Sequence, residues 1–288
     1  MKKAKVGIIG TGNIGTNLLL KLLRSKYLEP TLFMGVNEDS RGMMIAKEKG
    51  IMTSAESINA LIRNPELCDI VFDATSARFH PKHAEILKKL GKKVIDMTPA
   101  RVGKMCIPAI NGDECIDLDN INMVTCGGQG GVPIVKAVTE VHPDLKYAEI
   151  VATVASVSAG LGTRENIDEF TQTTKDAMIE IGKAPMAKAI IILNPAEPPI
   201  MMHNTIFFEI DNPNMERITE SVKKMVHNVQ QYVPGYKLVL EPTESDGRVT
   251  VMIQVTGTGD FLPPYAGNLD IITCAGISMA ERWVKKDD

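Results

Sequence analysis

A short apolar run, Val6–Ile9, stops at Gly10-Thr11-Gly12-Asn13-Ile14-Gly15, and a helical pattern over Ile14–Leu23 begins at once. No other feature restricts the fold as much. In G-x-G-x-x-G between a strand and a helix, the first glycine permits a tight turn. The second lets the backbone approach a pyrophosphate, and the third lets helix and strand pack closely. The amides and dipole at the helix start then face the phosphates. Gly10, Gly12 and Gly15 are therefore candidate dinucleotide-binding residues. A second strand is predicted over Thr31–Val36. In NAD sites that strand usually ends in Asp or Glu, which accepts from the ribose hydroxyls. Here the end reads Gly35-Val36-Asn37-Glu38-Asp39-Ser40-Arg41. Asn37 removes a charge that would repel a 2′-phosphate, and Ser40 and Arg41 are candidates to contact one. Glu38 or Asp39 still offers a carboxylate to the ribose. NAD is the first expectation, with NADP or dual use as the alternative.

Further short apolar runs alternate with helical patterns. A helix is predicted over Ser40–Glu48, strands over Ile70–Ala74, Val94–Asp96 and Asn122–Thr125, and a helix over His80–Leu90. Strands that are apolar nearly throughout belong to parallel sheets buried on both faces. From about residue 133 the texture changes. Helices are predicted over Ile134–Val141, Ile167–Gly182 and Met215–Gln231, with strands over Ala148–Val157, Ala189–Leu193, Thr205–Ile210, Tyr236–Leu240 and Thr250–Thr256. Runs of strands with few helices indicate an α+β unit with a largely antiparallel sheet. The expected fold is α/β: an N-terminal Rossmann dinucleotide-binding domain (1–130), rejoined by a C-terminal helix (266–288), plus an α+β domain (131–265). With 288 residues, 44% of them hydrophobic, the chain can fill both cores.

A net charge of −3, with no basic cluster beyond Lys88-Lys89 and Lys92-Lys93, gives no electrostatic case for nucleic acid or an anionic membrane. No apolar run approaches the ~20 residues of a membrane helix. The lysine-rich start breaks on Gly7 and Gly10 too soon for a signal peptide, so the cytoplasm is expected. The five cysteines are odd in number and scattered, which suits free thiols. No metal site is expected: His80 and His83, three apart, lack a third ligand and read as a surface helix start.

Cys126 is the exceptional thiol, in Val124-Thr125-Cys126-Gly127-Gly128-Gln129-Gly130-Gly131-Val132-Pro133. A β-branched strand precedes it, and glycines and a proline lead into a helix. There the thiol would face a helix N-terminus, and amides near Gly127 and Gly128 would be at hand for an oxyanion. A buried strand-end cysteine is the alternative reading.

Thr125-Cys126-Gly127-Gly128-Gln129 resembles the active-site segment of the acylating acetaldehyde dehydrogenases. Further blocks are similar to that family in order along essentially the whole chain. They are Ile95-Asp96-Met97-Thr98-Pro99-Ala100, Tyr147 to Ala152, Ser158 to Asp168, Asn194 to Pro199, Tyr232 to Tyr236 and Leu262 to Asp270. The resemblance implies a glyceraldehyde-3-phosphate-dehydrogenase-like architecture whose second domain is catalytic and dimerising. It implies oxidation of acetaldehyde, or a similar short-chain aldehyde, with NAD and coenzyme A to acetyl-CoA through a Cys126 thioester. Thr11, Gly12, Asn13 and Ile14 would contact the cofactor phosphates. Ser158, Ala159, Gly160, Leu161, Gly162, Thr163, Arg164, Glu165 and Asn166 would complete the cofactor site, and Asn268 would reach the nicotinamide end. A homodimer is implied, and often a 4-hydroxy-2-oxovalerate aldolase partner in aromatic hydrocarbon catabolism.

Three departures from the family pattern stand out. Gly130-Gly131-Val132-Pro133 replaces Ala-Thr-Ile-Pro, which is expected to loosen the loop carrying the thiol or widen the acyl pocket. His203-Asn204 replaces Arg-Asp, and His203 is expected to take over part of that Asp's role in orienting or activating the thiol. The segment 237–260 is shorter than in typical relatives, which bears on the aldolase partnership. The residues leave two other functions open. A phosphorylating-type semialdehyde dehydrogenase would need an anion site, for which Arg101 and Arg164 are the candidates. A catalytically inactive nucleotide-binding regulator is conceivable through Asn204.

Overall fold

The computed structural model describes residues 3–286, so positions 287 and 288 of the expected C-terminal helix lie outside the described residues. The first half contains β1 (Ala4–Ile9), α1 (Asn13–Leu22), β2 (Leu28–Met34), α2 (Arg41–Glu48), β3 (Met52–Ser54), α3 (Asn59–Arg63), β4 (Ile70–Asp73), α4 (His80–Lys89), β5 (Lys93–Asp96), β6 (Lys104–Met105), α5 (Pro108–Asn111) and β7 (Asn120–Asn122). The seven strands form one sheet in the order β3-β2-β1-β4-β5-β7-β6, every pairing parallel. Strand order reverses at β1, which lies between β2 and β4. That switch point is where open α/β sheets bind ligands.

The second half contains α6 (Cys126–Val141), β8 (Tyr147–Ala155), α7 (Leu161–Glu165), α8 (Ile167–Glu180), β9 (Ala187–Asn194), β10 (Met202–Glu209), α9 (Met215–Gln230), β11 (Tyr236–Ser245), β12 (Arg248–Val255) and α10 (Gly267–Lys286). Its sheet runs β11-β12-β10-β8-β9, antiparallel except for the parallel β8–β9 pair. Strand alternation then decides which side chains go inward. In β10, Met202, Asn204, Ile206 and Phe208 are buried, while His203, Thr205 and Phe207 lie on the other face. Helices α6, α8 and α9 cover the buried side. Helix α10 packs against the first sheet. Gly276 meets Phe72, Ile95 and Met97 there, and Trp283 is buried near its end.

The largest difference from expectation is the start of α6, eight residues before Ile134. Glycine interiors cost about 1 kcal/mol each and an internal proline costs more, so local propensity argues against this helix. Tertiary contact overrides it. A Cβ on Gly127 would stand 2.8 Å from Phe170 Cζ, and one on Gly131 would stand 2.6 Å from Ile150 Cδ1. The glycines therefore do not loosen a loop; they let a buried helix lie directly on β8 and α8. The helix also crosses residue 130. The edge strands β3 and β6, of three and two residues, are too short to show a periodicity.

Candidate active site

The turn after β1 sits over the switch point. Gly10 has φ +108°, which L side chains adopt only with strain. Nothing lies within 4 Å of the place a Gly12 Cβ would occupy, so a ligand can approach the backbone there. No side chain caps α1 and its first turn holds no acid, which leaves its leading amides for an anion. Asn13 Nδ2 donates to the Ser158 carbonyl at 3.2 Å and ties this turn to the second half.

One cavity of about 620 Å³ joins the two halves. It brings together Gly10, Gly12, Asn13, Ile14, Cys126, Ser158, Ala159, Gly160, Leu161, Gly162, Thr163, Arg164, Asn166 and Asn268 of the sequence-predicted residues. Asn268 Oδ1 is buried with no hydrogen-bond partner, an open acceptor on a cavity-lining residue. The remaining candidates are absent from the lining. Thr11 is turned to Ser40, whose Oγ is 3.1 Å from Thr11 Oγ1. Gly15 packs beneath the Gly10 carbonyl, and Glu165 closes α7. Asn37 Oδ1 accepts from the Asp39 amide, and the Arg41 guanidinium lies 4.7 Å over the Phe261 ring.

Cys126 is the first residue of α6 and 9% exposed. Thr125 caps the helix, its Oγ1 accepting from Gly128 N at 2.8 Å and meeting Thr174 Oγ1 at 2.7 Å. The Gly128 amide, expected to serve an oxyanion, is therefore committed to the cap. The amides that reach the sulfur are those of Cys126 and Gly127. Burial pushes the thiol up to about 12, and these two amides oppose it.

Asn204 is fully buried and donates from Nδ2 to the Gly127 carbonyl at 2.8 Å. It anchors the first turn of α6 and is no base; an ionised carboxylate there could not donate to a carbonyl. His203 corrects a second expectation. It is the second residue of β10, ahead of the predicted strand start at Thr205, and strand alternation points it away from Asn204 and α6. Its Nδ1 lies 3.2 Å from the Met201 carbonyl. His203→Ala is accordingly expected to leave kcat and its pH profile within roughly twofold of wild type, the scale of surface substitutions. Steady-state rates from pH 6 to 9 check this.

His80 and His83 also depart from expectation. Instead of a surface helix start they are buried, each Nδ1 2.8 Å from Asp73 Oδ2. Among the described residues, no cluster of three or more His, Cys, Asp or Glu is arranged to hold a metal. Arg101 pairs with Asp176 and Glu180 of α8, and Arg164 donates to the Ser156 and Ala159 carbonyls. Both candidate phosphate ligands are thus engaged within the chain.

Sequence reasoning missed Thr75, Ser76, Thr98, Pro99, Phe170 and Ile272, all of which line the cavity. The first four follow the carboxyl ends of β4 and β5, where an open parallel sheet faces its ligand, so the strand prediction contained the signal. Phe170 and Ile272 arrive through helix packing and have no local signature.

Residues 126–263 match the family model described as "Prokaryotic acetaldehyde dehydrogenase, dimerisation", and residues 5–115 match "Semialdehyde dehydrogenase, NAD binding domain". The chain is 53% identical over 283 residues to an acetaldehyde dehydrogenase of Bacillus cereus, covering 98% of this chain and 94% of the relative. It is 52% identical to one of Pectobacterium atrosepticum, covering 97% and 95%. Among solved structures, aspartate semialdehyde dehydrogenase II from Vibrio cholerae, complexed with ASA, superposes with a TM-score of 0.68. At 12% identity, with 99% of each chain covered, that likeness concerns the fold alone.

Proposed function

Because this chain belongs to the prokaryotic acetaldehyde dehydrogenase family, we propose that it oxidises acetaldehyde, or a similar short aldehyde, with NAD and coenzyme A to the acyl-CoA through a thioester on Cys126. One observation carries the reading. Cys126, the turn before the uncapped start of α1, and Asn268 with its open Oδ1 line one cavity.

The α1 amides would hold the cofactor phosphates, the 158–166 segment its middle, and Asn268 its nicotinamide end. When bound, NAD supplies the acceptor for a hydride. The chain's own chemistry lies at the first turn of α6. The Cys126 thiolate adds to the aldehyde carbon, forming a C–S bond and an oxyanion. The amides of Cys126 and Gly127 stabilise that negative charge, a contribution worth about 3–4 kcal/mol per donor in other enzymes. Loss of the carbon-bound hydrogen with its electron pair restores the C=O bond and leaves the thioester. The coenzyme A thiolate then attacks the thioester carbon, the bond to Cys126 breaks, and its thiolate is regenerated. The balance is aldehyde, NAD⁺ and coenzyme A giving acyl-CoA, NADH and a proton.

The engagement of Arg101 and Arg164 favours coenzyme A over phosphate as acyl acceptor. The stacking of Arg41 on Phe261 favours NAD over NADP. Five cysteines without a disulfide suit a cytoplasmic enzyme. No helix among the described residues is long and apolar enough to cross a membrane. The match to a dimerisation family supports a homodimer. By resemblance, the reading extends to an aldolase partner in aromatic hydrocarbon catabolism, which co-elution with that enzyme would test.

NADH formation from acetaldehyde is expected to require coenzyme A and to be faster with NAD than with NADP. Initial rates with each cofactor, with coenzyme A or phosphate, test the reading. Phosphate-dependent turnover without coenzyme A would replace it with the phosphorylating one.

A further inference from the structure

Three neighbouring strands of the first sheet end in the same device. Asp73 closes β4, Asp96 closes β5 and Asn122 closes β7, and the three stand in register across the sheet. Each turns the chain by accepting from the amide two residues on. Asp73 Oδ1 takes the Thr75 amide at 3.1 Å, Asp96 Oδ1 the Thr98 amide at 2.8 Å, and Asn122 Oδ1 the Val124 amide at 2.9 Å. Thr75, Thr98 and Val124 all line the cavity. Val124 holds φ +61°, a conformation a β-branched residue keeps only when its surroundings enforce it, and Cys126 follows two residues later.

The other atoms of these side chains join into one buried line. Asp73 Oδ2 meets both His83 Nδ1 and His80 Nδ1 at 2.8 Å. His80 Nε2 stands 3.3 Å from Asp96 Oδ2, an ion-pair distance without hydrogen-bond alignment. Asn122 Nδ2 donates to the same Asp96 oxygen at 2.7 Å, and to the Thr98 carbonyl at 2.7 Å. A turn needs one acceptor and no histidine, so the turns alone do not account for two imidazoles and two carboxylates shut away from water.

We propose that the line His83–Asp73–His80–Asp96–Asn122 is a positioning unit. It fixes the turn that delivers Cys126, and its protonation state sets the acid limit of Cys126 reactivity. The proposal rests on Cys126 being the reactive thiol.

Asp96 is the link that switches. The titratable groups facing it are His80 of α4 and Asp73 of β4, with His83 beyond on Asp73. From β7 it meets the neutral Asn122, and α10 meets this end of the sheet through Gly276. Burial raises the Asp96 carboxyl to about 6, against the pull of His80. A proton on Oδ2 removes the negative charge there and weakens one of the two bonds that hold Asn122 Nδ2. Asn122 Nδ2 is then held by the Thr98 carbonyl alone, and the bond its Oδ1 accepts from the Val124 amide loosens. In acid the turn before Cys126 relaxes.

The test is the rate of Cys126 alkylation by iodoacetamide from pH 5 to 8, resolved by peptide mass from the other four cysteines. Thiol ionisation alone lowers the rate about tenfold per pH unit throughout. The wild type is expected to show a second break near pH 6, adding about a further tenfold loss at pH 5. Asp96→Asn should abolish that break. His80→Gln should move it to higher pH, because the cation that favours the Asp96 carboxylate is gone. Asn122→Ala should slow alkylation roughly tenfold or more at pH 7.5, as misplacement of a reacting group does. A single slope in the wild type, a break retained in Asp96→Asn, an unmoved break in His80→Gln or an unchanged rate in Asn122→Ala would each overturn the proposal. The His80→Gln arm decides if Asp96→Asn does not fold. Coenzyme A-dependent turnover that persists in Cys126→Ala would overturn the proposed function instead, and the alkylation profile does not depend on that result.

Discussion

Cys126→Ala is expected to lower coenzyme A-dependent NADH formation by on the order of 10⁴-fold or more, with NADH binding retained. That is the scale on which covalent enzymes lose rate with their nucleophile. The substitution removes one sulfur from the first turn of α6 and nothing that holds the turn in place. Thr125 still caps the helix through the Gly128 amide, and Asn204 still holds the Gly127 carbonyl. The α1 end of the cavity is untouched, since Asn13, Gly160 and Asn268 line it from other elements. Single-turnover rates together with NADH fluorescence titration separate the two quantities. Loss of rate with unchanged affinity assigns the sulfur to the chemistry. Rates within tenfold of wild type would remove the thioester from the mechanism.

Lys21→Met is expected to destabilise the fold by about 3–5 kcal/mol, the penalty for stripping the cation from a buried ion pair. Lys21 Nζ lies 2.7 Å from Asp260 and 3.0 Å from Asp270, and it also donates to Thr258 Oγ1 at 2.7 Å. Methionine matches the lysine stem in bulk but leaves Asp270 buried on α10 without its cation. Asp260 keeps the more exposed Arg24. For a chain of this size the loss corresponds to a fall in Tm of about 10 °C. Adding Asp270→Asn should recover part of it by removing the stranded charge, and calorimetry of both variants checks the ranking. The pH dependence has a definite sign. Arg24 first, and then Lys21, hold the Asp260 carboxyl well below the usual carboxylate range, so the folded state binds fewer protons there. That stabilisation is complete above about pH 4 and fades as the pH falls further. The Lys21→Met deficit is therefore largest near neutrality. Because Asn268 lies two residues before Asp270, the KM for NAD should rise in the same variant.

Much of the molecule is local enough to read along the chain. G-x-G-x-x-G names its own turn, because the residue types that tolerate positive φ and close approach are few and their spacing is set by the strand and helix themselves. The apolar strands of the first sheet and the alternating strands of the second follow from periodicity. The thiol at Cys126 and the segment 158–166 stand out through the resemblance of their sequence blocks to a known family, not by local pattern. His80, His83 and His203 could not be placed that way. A histidine near a predicted helix start looks alike whether it faces water or a buried carboxylate, and Asp73 lies on another element. His203 and Asn204 are adjacent, yet strand alternation puts only Asn204 against the Gly127 carbonyl. The glycines of α6 carried the same ambiguity, since local propensity favours a loop and only Phe170 and Ile150, packed against them, require a helix. Features governed by neighbours along the chain, namely turn chemistry, periodicity and the order of elements, are legible in the residues alone. Which polar groups share a buried space emerges only on folding, because burial and charge pairing depend on residues up to about 250 positions apart, as Asn17 and Asp270 are.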